Sequence, residues 1–393
     1  MKFYWPVCIC CVFFSLYSFS QRTIKGRIVN EATGEALPGS SIFINSTSIG
    51  TVADKNGSFE LNNIPSGRYD LVISAIGFET NTFNFTSEQL PLNVKIEMKV
   101  KVKELENVTV EPFTEESWEK WGKTFIESFI GTTPNSKNCQ IKNTRSIHFR
   151  YYKKSNRITA YSDEPLIIEN KALGYNIRYQ LEQFEIDLSN RVTLYTGYPF
   201  FEEIDKNRKG LQRRWKEARI KAYNGSLMHF FRCLFQDSLI QNGYEVRRMK
   251  RIPNYEKQRI KIAYQSSLVV KDSAEYYRRI LRQKDYTEIY SPGLLTADSL
   301  IVESQEGYKS LFFPDFLFIT YKKELEDKEY LLFHNENRRP GYQQSYTWLV
   351  SGTPVTIDVN GNYYPPQEVF SMSYWGWNEK IANLLPSEYR PGD

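Results

Sequence analysis

The chain has 393 residues, of which 41% are hydrophobic, 15% aromatic and 25% charged, a composition typical of a folded protein. Lysine and arginine total 51 and aspartate and glutamate total 46, so the formal net charge of +5 is too small to predict a polyanionic partner by itself. Only three histidines are present, each in a different segment, so the sequence indicates no zinc peptidase, no metal site and no other cofactor.

Residues 1–20 predict a signal peptide. Lys2 precedes an apolar run at 7–16, and small serines at positions 18 and 20 stand just before Gln21. We therefore expect an exported protein, either periplasmic or associated with the outer membrane. A retained signal anchor is the alternative, although the apolar run is short for a bilayer span. No later apolar stretch is long enough to predict a transmembrane helix.

Residues 22–99 alternate apolar and polar side chains between turns, which is the pattern of half-buried β-strands. The Asn56-Gly57 dipeptide predicts a hairpin that joins a strand ending at Val52 to the strand that follows. Strands at this spacing, without a helical period, predict an all-β sandwich. The apolar positions of the expected strands are Ile24, Ile28, Ile42, Ile44, Phe59, Leu61, Tyr69, Leu71, Ile73, Leu92, Val94, Ile96 and Met98.

One long string in this region carries a family resemblance: GRIVNEATGEALPGSSIFINSTSIGTVADKNGSFELNNIPSGRYDLVISAIGFET, which begins at Gly26. The string resembles the carboxypeptidase regulatory-like domain, a transthyretin-like sandwich with a carbohydrate-binding-like fold. The matching positions are Gly26, Gly34, Pro38, Gly57, Phe59, Pro65, Gly67, Tyr69 and Gly77. The resemblance implies a sandwich with an accessory role, and it does not imply peptidase activity.

Residues 100–113 predict a linker, and residues 114–393 predict an α+β domain of mixed strands and two or three helices. A helix is expected at 114–130, capped by Thr114, because apolar residues recur there every three or four positions. A second helical stretch, 206–240, is interrupted near Asn224-Gly225, and strands are expected before and after it. The Asn360-Gly361-Asn362 segment predicts another hairpin turn, and a short helix is expected around 377–385.

The second region also resembles the C-terminal part of uncharacterised envelope proteins that carry the same regulatory-like domain. Four strings carry this likeness: DEPLIIENKALGYNIRYQLEQFEI from Asp163, LYTGYPFFEE from Leu194, RRWKEARIKAYNGSLMHFFRCLF from Arg213 and YWGWNEKIANLLP from Tyr374. The likeness implies a shared architecture and a shared location in the envelope, without an activity.

Two groups of residues are candidates for ligand binding, namely cations early in the second helical stretch and aromatic residues near the C-terminus. They are Arg213, Arg214, Lys216, Arg219, Tyr374, Trp375 and Trp377. The cations could meet anionic envelope partners, such as lipopolysaccharide phosphates or an acidic protein face, or they could simply be solvated. The rings could stack on sugars or could belong to the core. Export argues against a nucleic-acid partner.

Paired carboxylates are the only acid–base candidates. Residues 163–164, residues 202–203 and the pair Glu182 and Glu185 could hydrolyse a glycoside if two of them converge, or they could be ordinary surface charges. Cys139 and Cys233 remain after removal of the signal and could form a disulfide in an oxidising envelope. A buried free thiol is the alternative for Cys233.

The sequence therefore favours an exported envelope protein that binds or scaffolds, with a regulatory-like sandwich ahead of an α+β domain and no catalytic residue assigned. An envelope hydrolase acting on glycan or peptide bonds through carboxylates of the second domain is the alternative. Converging carboxylates, or a histidine beside a serine, would favour the hydrolase, whereas an aromatic or basic face would favour binding. The sequence does not predict the ligand or the oligomeric state.

Overall fold

The computed structural model describes residues 22–101, 111–204, 209–265, 274–305 and 307–392. The predicted signal peptide and residues 102–110 of the predicted linker lie outside the described residues. The described chain begins with a β-sandwich and continues as an α+β region built on antiparallel sheets, so the predicted fold class is confirmed.

The N-terminal sandwich consists of β1 (Ile24–Asn30), β2 (Ser41–Ile44), β3 (Gly50–Val52), β4 (Ser58–Leu61), β5 (Arg68–Ser74), β6 (Asn81–Thr86) and β7 (Leu92–Met98). Its two sheets have the strand orders β4-β1-β7 and β3-β2-β5-β6. Side chains such as Ile24 and Ile28 from the first sheet and Leu71 and Ile73 from the second share one core, and all four are fully buried. Burial of every second residue is what the sequence alternation predicts.

The Asn56-Gly57 turn forms where it was predicted, but the predicted hairpin was wrong. Gly57 has a φ of +74°, and its N–H donates to the Asp54 carbonyl at 2.9 Å. However, β3 pairs with β2 and β4 pairs with β1, so the turn carries the chain from one sheet to the other. A tight turn reverses the chain, but it does not decide which strands pair.

A seven-stranded antiparallel sheet begins the second region. It contains β8 (Thr114–Glu116), β9 (Cys139–Ile141), β10 (Ile147–Tyr152), β11 (Arg157–Ser162), β12 (Leu166–Asn170), β13 (Tyr175–Asp187) and β14 (Val192–Glu203). Helix α1 (Trp118–Phe129) packs on this sheet through Phe125 and Phe129, which are 1% and 0% exposed.

In the structure the first helix begins at Trp118, four residues after the predicted start at Thr114. Thr114–Glu116 form β8 and pair with β10, and Ser117, with an extended ψ of 161°, precedes the first helical residue. Thr114 and Ser117 are both suitable N-cap residues, so the local sequence leaves the helix start open. Edge pairing with β10 settles it.

The rest of the chain supplies two more sheets and six helices among the described residues. In chain order they are α2 (Lys209–Tyr223), α3 (Leu227–Phe235), β15 (Tyr244–Pro253), α4 (Tyr255–Gln265), α5 (Ala274–Leu281), β16 (Tyr286–Tyr290), β17 (Ile301–Gln305), β18 (Tyr308–Leu311), β19 (Phe316–Leu325), α6 (Lys328–Phe333), β20 (Tyr342–Leu349), β21 (Val355–Asp358), β22 (Tyr363–Tyr364), β23 (Val369–Ser373) and α7 (Tyr374–Asn378). The five-stranded sheet has the order β16-β15-β19-β20-β23, and the four-stranded sheet has the order β17-β18-β21-β22.

The helix break and the hairpin turn predicted for this part of the chain both form, whereas the last helix begins earlier than predicted. The helix break at Asn224-Gly225 is confirmed between α2 and α3, and the hairpin turn at 360–362 is confirmed between β21 and β22. The helix expected around 377–385 instead begins at Tyr374 and ends at Asn378, followed by a 3-10 turn at Ile381–Asn383. Helices α4, α5 and α6 were not predicted, because this region reads as strands.

The sandwich packs directly against the second region. Phe43 and Val72 of the sandwich form a buried cluster with Phe200 of β14, and the Phe43 and Phe200 ring centroids are 5.3 Å apart. Backbone hydrogen bonds continue this contact, since the Phe201 N–H donates to the Thr47 carbonyl at 2.9 Å. The two parts of the chain therefore share an apolar contact.

A polar contact lies beside it. Nδ2 of Asn360 donates to the Ser66 carbonyl at 2.8 Å and to the Tyr69 hydroxyl at 3.0 Å, and Tyr69 donates in turn to Ser66 at 3.1 Å. Asn360 and Tyr69 are each 2% exposed. The hairpin turn between β21 and β22 thus holds the sandwich through hydrogen bonds shielded from water.

We expect Tyr69→Phe to lower the free energy of unfolding by about 1 kcal/mol, because it deletes one buried hydroxyl that both accepts and donates. Urea unfolding followed by tryptophan fluorescence would measure the change. Tyr342→Phe is the matched control, because Tyr342 is 47% exposed and its loss should cost less than about 0.5 kcal/mol. Equal losses in the two variants would contradict the role given to Tyr69.

Candidate functional site

The five-stranded sheet has two unlike faces. One face lies in a core shared with α3 and the four-stranded sheet, where Leu317, Ile319 and Leu349 are 0%, 2% and 6% exposed. Successive residues of a strand point to opposite faces, so the residues between them point away from this core. Those residues are aromatic on both central strands, with Phe316 and Phe318 on β19 and Tyr346 and Trp348 on β20.

We call this second surface the aromatic face. It consists of Tyr286, Tyr290, Phe316, Phe318, Tyr346, Trp348 and Phe370. Strand register places the rings side by side, because Phe318 lies opposite Tyr346 and Trp348 lies opposite Phe370.

The rings of the aromatic face touch one another in two rows. Phe318 lies between Tyr290 and Tyr346, with centroid distances of 5.0 and 5.1 Å. Trp348 lies between Phe316 and Phe370, at 5.2 and 4.6 Å. Within the described part of the chain, none of these rings belongs to the three main cores, and all are partly exposed, up to 39% for Tyr290. Contiguous exposed apolar surface commonly marks a binding site.

A polar network crosses the aromatic face. Nη2 of Arg251 lies 3.2 Å from Oε1 of Glu288, and the Arg251 guanidinium lies over the Tyr286 and Phe316 rings at 4.3 and 4.6 Å. The Tyr290 hydroxyl donates to Oε2 of Glu288 at 2.8 Å and lies 3.0 Å from the Tyr346 hydroxyl. These contacts hold polar groups in one orientation beside the rings.

The network also sets the protonation of its tyrosines. Burial, together with hydrogen bonds to Tyr346 and Glu288, raises the pKa of Tyr290 far above its usual value of 10, and burial likewise raises the pKa of Tyr346. Both hydroxyls therefore stay protonated and can donate or accept hydrogen bonds at any physiological pH. The face offers apolar rings and oriented neutral hydroxyls, with one guanidinium–carboxylate pair.

The aromatic residues singled out from the sequence lie elsewhere, in the interior. Tyr374, Trp375 and Trp377 are 3%, 2% and 4% exposed. Nε1 of Trp375 donates to the Gly225 carbonyl at 2.6 Å, and Nε1 of Trp377 donates to the Thr132 hydroxyl at 2.9 Å. The structure thus corrects the hypothesis of an exposed stacking surface at these three residues, because their rings fill cores and their N–H groups are bonded internally.

The basic candidates on α2 do not share one environment. Arg213, Arg214 and Lys216 are exposed, and Nε of Arg213 pairs with Oε1 of Glu217 at 3.0 Å. Arg219 is only 8% exposed, pairs with Glu203 at 3.0 Å and lies 4.0 Å over the Tyr175 ring. The expectation of a water-facing basic half therefore fails at Arg219, which joins α2 to the seven-stranded sheet.

Three of the carboxylates considered for hydrolysis, Glu185, Glu202 and Glu203, pair with separate cations. Glu202 pairs with Arg178 and Glu203 pairs with Arg219, and these neighbours on β14 point to opposite faces of the strand. Elsewhere on the sheets, Oε2 of Glu185 lies 2.8 Å from Arg157. Burial raises the pKa of Glu182.

The aspartate–glutamate pair at 163–164 is likewise engaged with other groups. Oδ2 of Asp163 lies 2.8 Å from Nε2 of His148, and Glu164 accepts a hydrogen bond from Asn143 at 2.9 Å. Ser226 and His229 lie close together on α3, but the Ser226 hydroxyl accepts the His229 backbone N–H at 3.1 Å as a helix cap.

The two cysteines are both buried and free, and they lie in different cores. Burial raises the pKa of Cys233 to about 11 and that of Cys139 to about 12, so neither thiol is a reactive thiolate at neutral pH. Cys139 begins strand β9 rather than lying in a loop. Over the described ranges, no cluster of three or more metal-ligating side chains is present, and no helix is long and apolar enough to cross a membrane.

The sequence does contain a signal for the aromatic face that our sequence reading did not use. An antiparallel strand with one solvated face normally alternates apolar and polar residues. In residues 316–319 and 346–349, large side chains instead occupy both odd-numbered and even-numbered positions, so they point to both faces of the sheet. That pattern indicates a second face that is covered or that binds something.

Comparison with known proteins gives one clear match. Residues 24–110 match the family model of the CarboxypepD_reg-like domain. No curated protein matches the chain.

Similarity to solved structures is weak. A type II cohesin–X-dockerin complex from Acetivibrio cellulolyticus matches at 24% identity over 20% of this chain and 57% of that one, with a TM-score of 0.18. The chain thus spans just over half the length of that protein. A protein of unknown function from Bacteroides fragilis matches at 11% identity over 85% of this chain and 92% of that one, with a TM-score of 0.16.

A DUF3823 family protein from Bacteroides uniformis matches at 12% identity over 46% of this chain and 81% of that one, with a TM-score of 0.15. Because all of these TM-scores are far below 0.5, the likenesses establish neither a shared overall fold nor a function. The family match stands on firmer ground, since residues 24–110 match the model of the CarboxypepD_reg-like domain and the strands of the observed sandwich, from Ile24 to Met98, lie within that range.

Proposed function

We propose that this chain is an exported binding protein of the bacterial cell envelope and that its aromatic face binds glycan. The observation that carries the proposal is the pair of ring rows on the five-stranded sheet, partly exposed and crossed by the network of Arg251, Glu288, Tyr290 and Tyr346. Sugar rings present flat C–H surfaces edged by hydroxyls, so a receptor for them needs apolar planes next to oriented donors and acceptors. The aromatic face supplies both.

Export is supported by the apolar run at 7–16 with its preceding Lys2 and following small residues. The CarboxypepD_reg-like domain acts in this proposal as an accessory module. Its contacts through Phe200 and Asn360 hold it against the second region, so it would sit in a constant position relative to the aromatic face. We divide the chain accordingly into a signal peptide at 1–20, a sandwich at 22–99, a linker at 100–113 and a binding domain at 114–393.

Binding to peptidoglycan sacculi and to a panel of soluble neutral oligosaccharides would test the proposal, with the mature chain as the probe. Trp348→Ala should weaken glycan binding at least 30-fold, or about 2 kcal/mol, because it removes the ring at the centre of one row. Tyr290→Phe keeps its ring but loses its hydroxyl, so we expect a smaller loss of about fivefold.

Phe333→Ala is the matched control, because Phe333 is an exposed ring on α6, 56% exposed and outside the aromatic face. Thermal unfolding of each variant would show that the fold is kept. The proposal fails if the unaltered chain retains no glycan, or if Phe333→Ala weakens binding as much as Trp348→Ala does.

A further inference from the structure

Helices α4 and α5 form a second surface of different character, which we call the helix pair. The helices leave the five-stranded sheet between β15 and β16 and are joined by a hydrogen bond of 2.8 Å from the Tyr276 hydroxyl to Oε1 of Glu256. Ile260 of α4 and Ile280 of α5 are 0% and 8% exposed, so they mark the side of each helix that is buried. The other sides face water.

The helix pair carries a net positive charge. Residues 255–265 and 274–285 contain seven basic and three acidic side chains, a net charge of +4. Glu256 pairs with Arg259 at 2.5 Å, and Asp285 lies 2.7 Å from Lys261 and 3.3 Å from Lys257. These ion pairs use two of the three acids.

A row of exposed cations remains on and just after α5, namely Arg278, Arg279, Arg282 and Lys284. In the part of the chain that the structure describes, no carboxylate lies within salt-bridge distance of these four side chains. Four cations within seven residues create a positive potential that extends roughly a Debye length, about 10 Å, from the surface.

Large apolar side chains are also exposed on the helix pair. Tyr255 and Ile262, seven residues apart on one side of α4, are 69% and 64% exposed, and Tyr276 on α5 is 39% exposed. Arg259 lies on that side of α4, between the two. An exposed aromatic ring and an exposed isoleucine on a basic pair of helices are suited to the boundary between lipid headgroups and acyl chains.

We propose that the helix pair docks on an anionic lipid surface, with the cations meeting the phosphate headgroups and with Tyr255 and Ile262 entering the interface. Charge complementarity selects this partner, because the four cations gain from a dense layer of phosphates. The exposed apolar side chains would be removed from water by a partner whose acyl chains lie just beneath its charged headgroups. This inference goes beyond glycan binding by the aromatic face and does not depend on it.

Flotation with lipid vesicles would test the inference, with the mature chain purified from the envelope fraction of producing cells. Vesicles of phosphatidylcholine alone would be compared with vesicles containing 30% phosphatidylglycerol, at low salt and at 0.5 M salt. We expect binding to the anionic vesicles and little to the neutral ones. R278Q/R279Q/R282Q/K284Q should weaken it at least tenfold, since each of the four cations near an anionic surface adds roughly fivefold.

K55Q/K99Q/K153Q/K154Q is the matched control, because it removes the same charge from exposed lysines outside the helix pair. It should bind nearly as the unaltered chain does. Y255S/I262S should keep binding at low salt and lose the part that survives 0.5 M salt, because its electrostatic attraction is intact. Equal binding to neutral vesicles, equal losses in the two quadruple variants, or no binding to either vesicle would overturn the inference.

Discussion

Replacing Arg232 by methionine should lower the free energy of unfolding by about 3–5 kcal/mol, the largest loss we expect from any single change in this protein. Arg232 lies on α3 and is 4% exposed. Its guanidinium donates to the carbonyls of Asn360 at 2.9 Å, Tyr389 at 2.9 Å and Ser387 at 2.7 Å. Methionine fills a similar volume but makes none of these three hydrogen bonds, each worth about 1.5–3 kcal/mol because the donor is charged. The Ser387 and Tyr389 carbonyls still accept from Nη1 of Arg390 at 3.1 and 3.0 Å, whereas the Asn360 carbonyl loses the guanidinium donor.

The loss of Arg232 should affect several parts of the structure, because this side chain connects them. The side chain joins α3 to the C-terminal segment and to the turn that holds the sandwich through Asn360. Arg213→Met is the matched control, because Arg213 is an exposed arginine on α2 and should cost less than about 0.5 kcal/mol. Chemical denaturation of both variants gives the comparison. A loss below about 1 kcal/mol for Arg232→Met would show that the three carbonyls find other donors.

Replacing Glu379 by glutamine should stabilise the protein by about 2–3 kcal/mol at pH 8 and have little effect at pH 4. Burial raises the pKa of Glu379 from its ordinary value of 4.5 to about 7. Its Oε1 accepts the backbone N–H of Leu227, the first residue of α3, at 3.2 Å, and a glutamine oxygen can take over that hydrogen bond.

The raised pKa of Glu379 determines how its contribution to stability changes with pH. The folded state holds the Glu379 proton more tightly than the unfolded state, so this group's contribution is fully present below pH 4.5 and is lost as the pH rises towards and through 7. A shift of about 2.5 units corresponds to about 3 kcal/mol as an upper value. Urea unfolding of both proteins from pH 4 to 8 would show a difference that grows over this window.

His229 changes stability with pH in the opposite direction. The free energies of unfolding of the unaltered chain and of Glu379→Gln should therefore be compared at each pH. Burial lowers the pKa of His229 to about 4, and its Nδ1 accepts the Gly225 N–H at 3.2 Å. Its contribution is present above its ordinary value of 6.5 and is lost as the pH falls through 4. Both proteins share this loss, so it cancels in the difference between them.

Glu217→Gln, a substitution of an exposed residue on α2, is the control and should change the free energy of unfolding by less than about 0.5 kcal/mol at either pH. A flat difference for Glu379→Gln would contradict the prediction.

Local patterns were sufficient for many elements. Alternation placed Tyr69, Leu71 and Ile73 on a buried strand, and the Asn224-Gly225 break separated two helices, because these features depend on residues near one another in the chain. The helical stripe ending at Phe129 was likewise readable, since its spacing of three and four is a property of the helix itself.

The candidate site could not be found the same way. Trp375 and Trp348 are both tryptophans in aromatic-rich segments, yet one lies in a core against Phe230 and the other on an outer sheet face. What separates them is which distant strands and helices cover each ring. Arg219 and Arg213 differ for the same reason, because β14 brings Glu203 to only one of them.

Sequence patterns alone predicted the sandwich at the N-terminus, many strands and one helix break of the second region, and the resemblance of the sandwich to the CarboxypepD_reg-like domain. Contacts between distant segments place β3 and β4 in different sheets, make Thr114–Glu116 an edge strand, and bring aromatic rings together on the second face of β19 and β20. Propensity and periodicity act over a few residues, whereas strand pairing and burial join residues far apart in the chain, so a local pattern does not predict them.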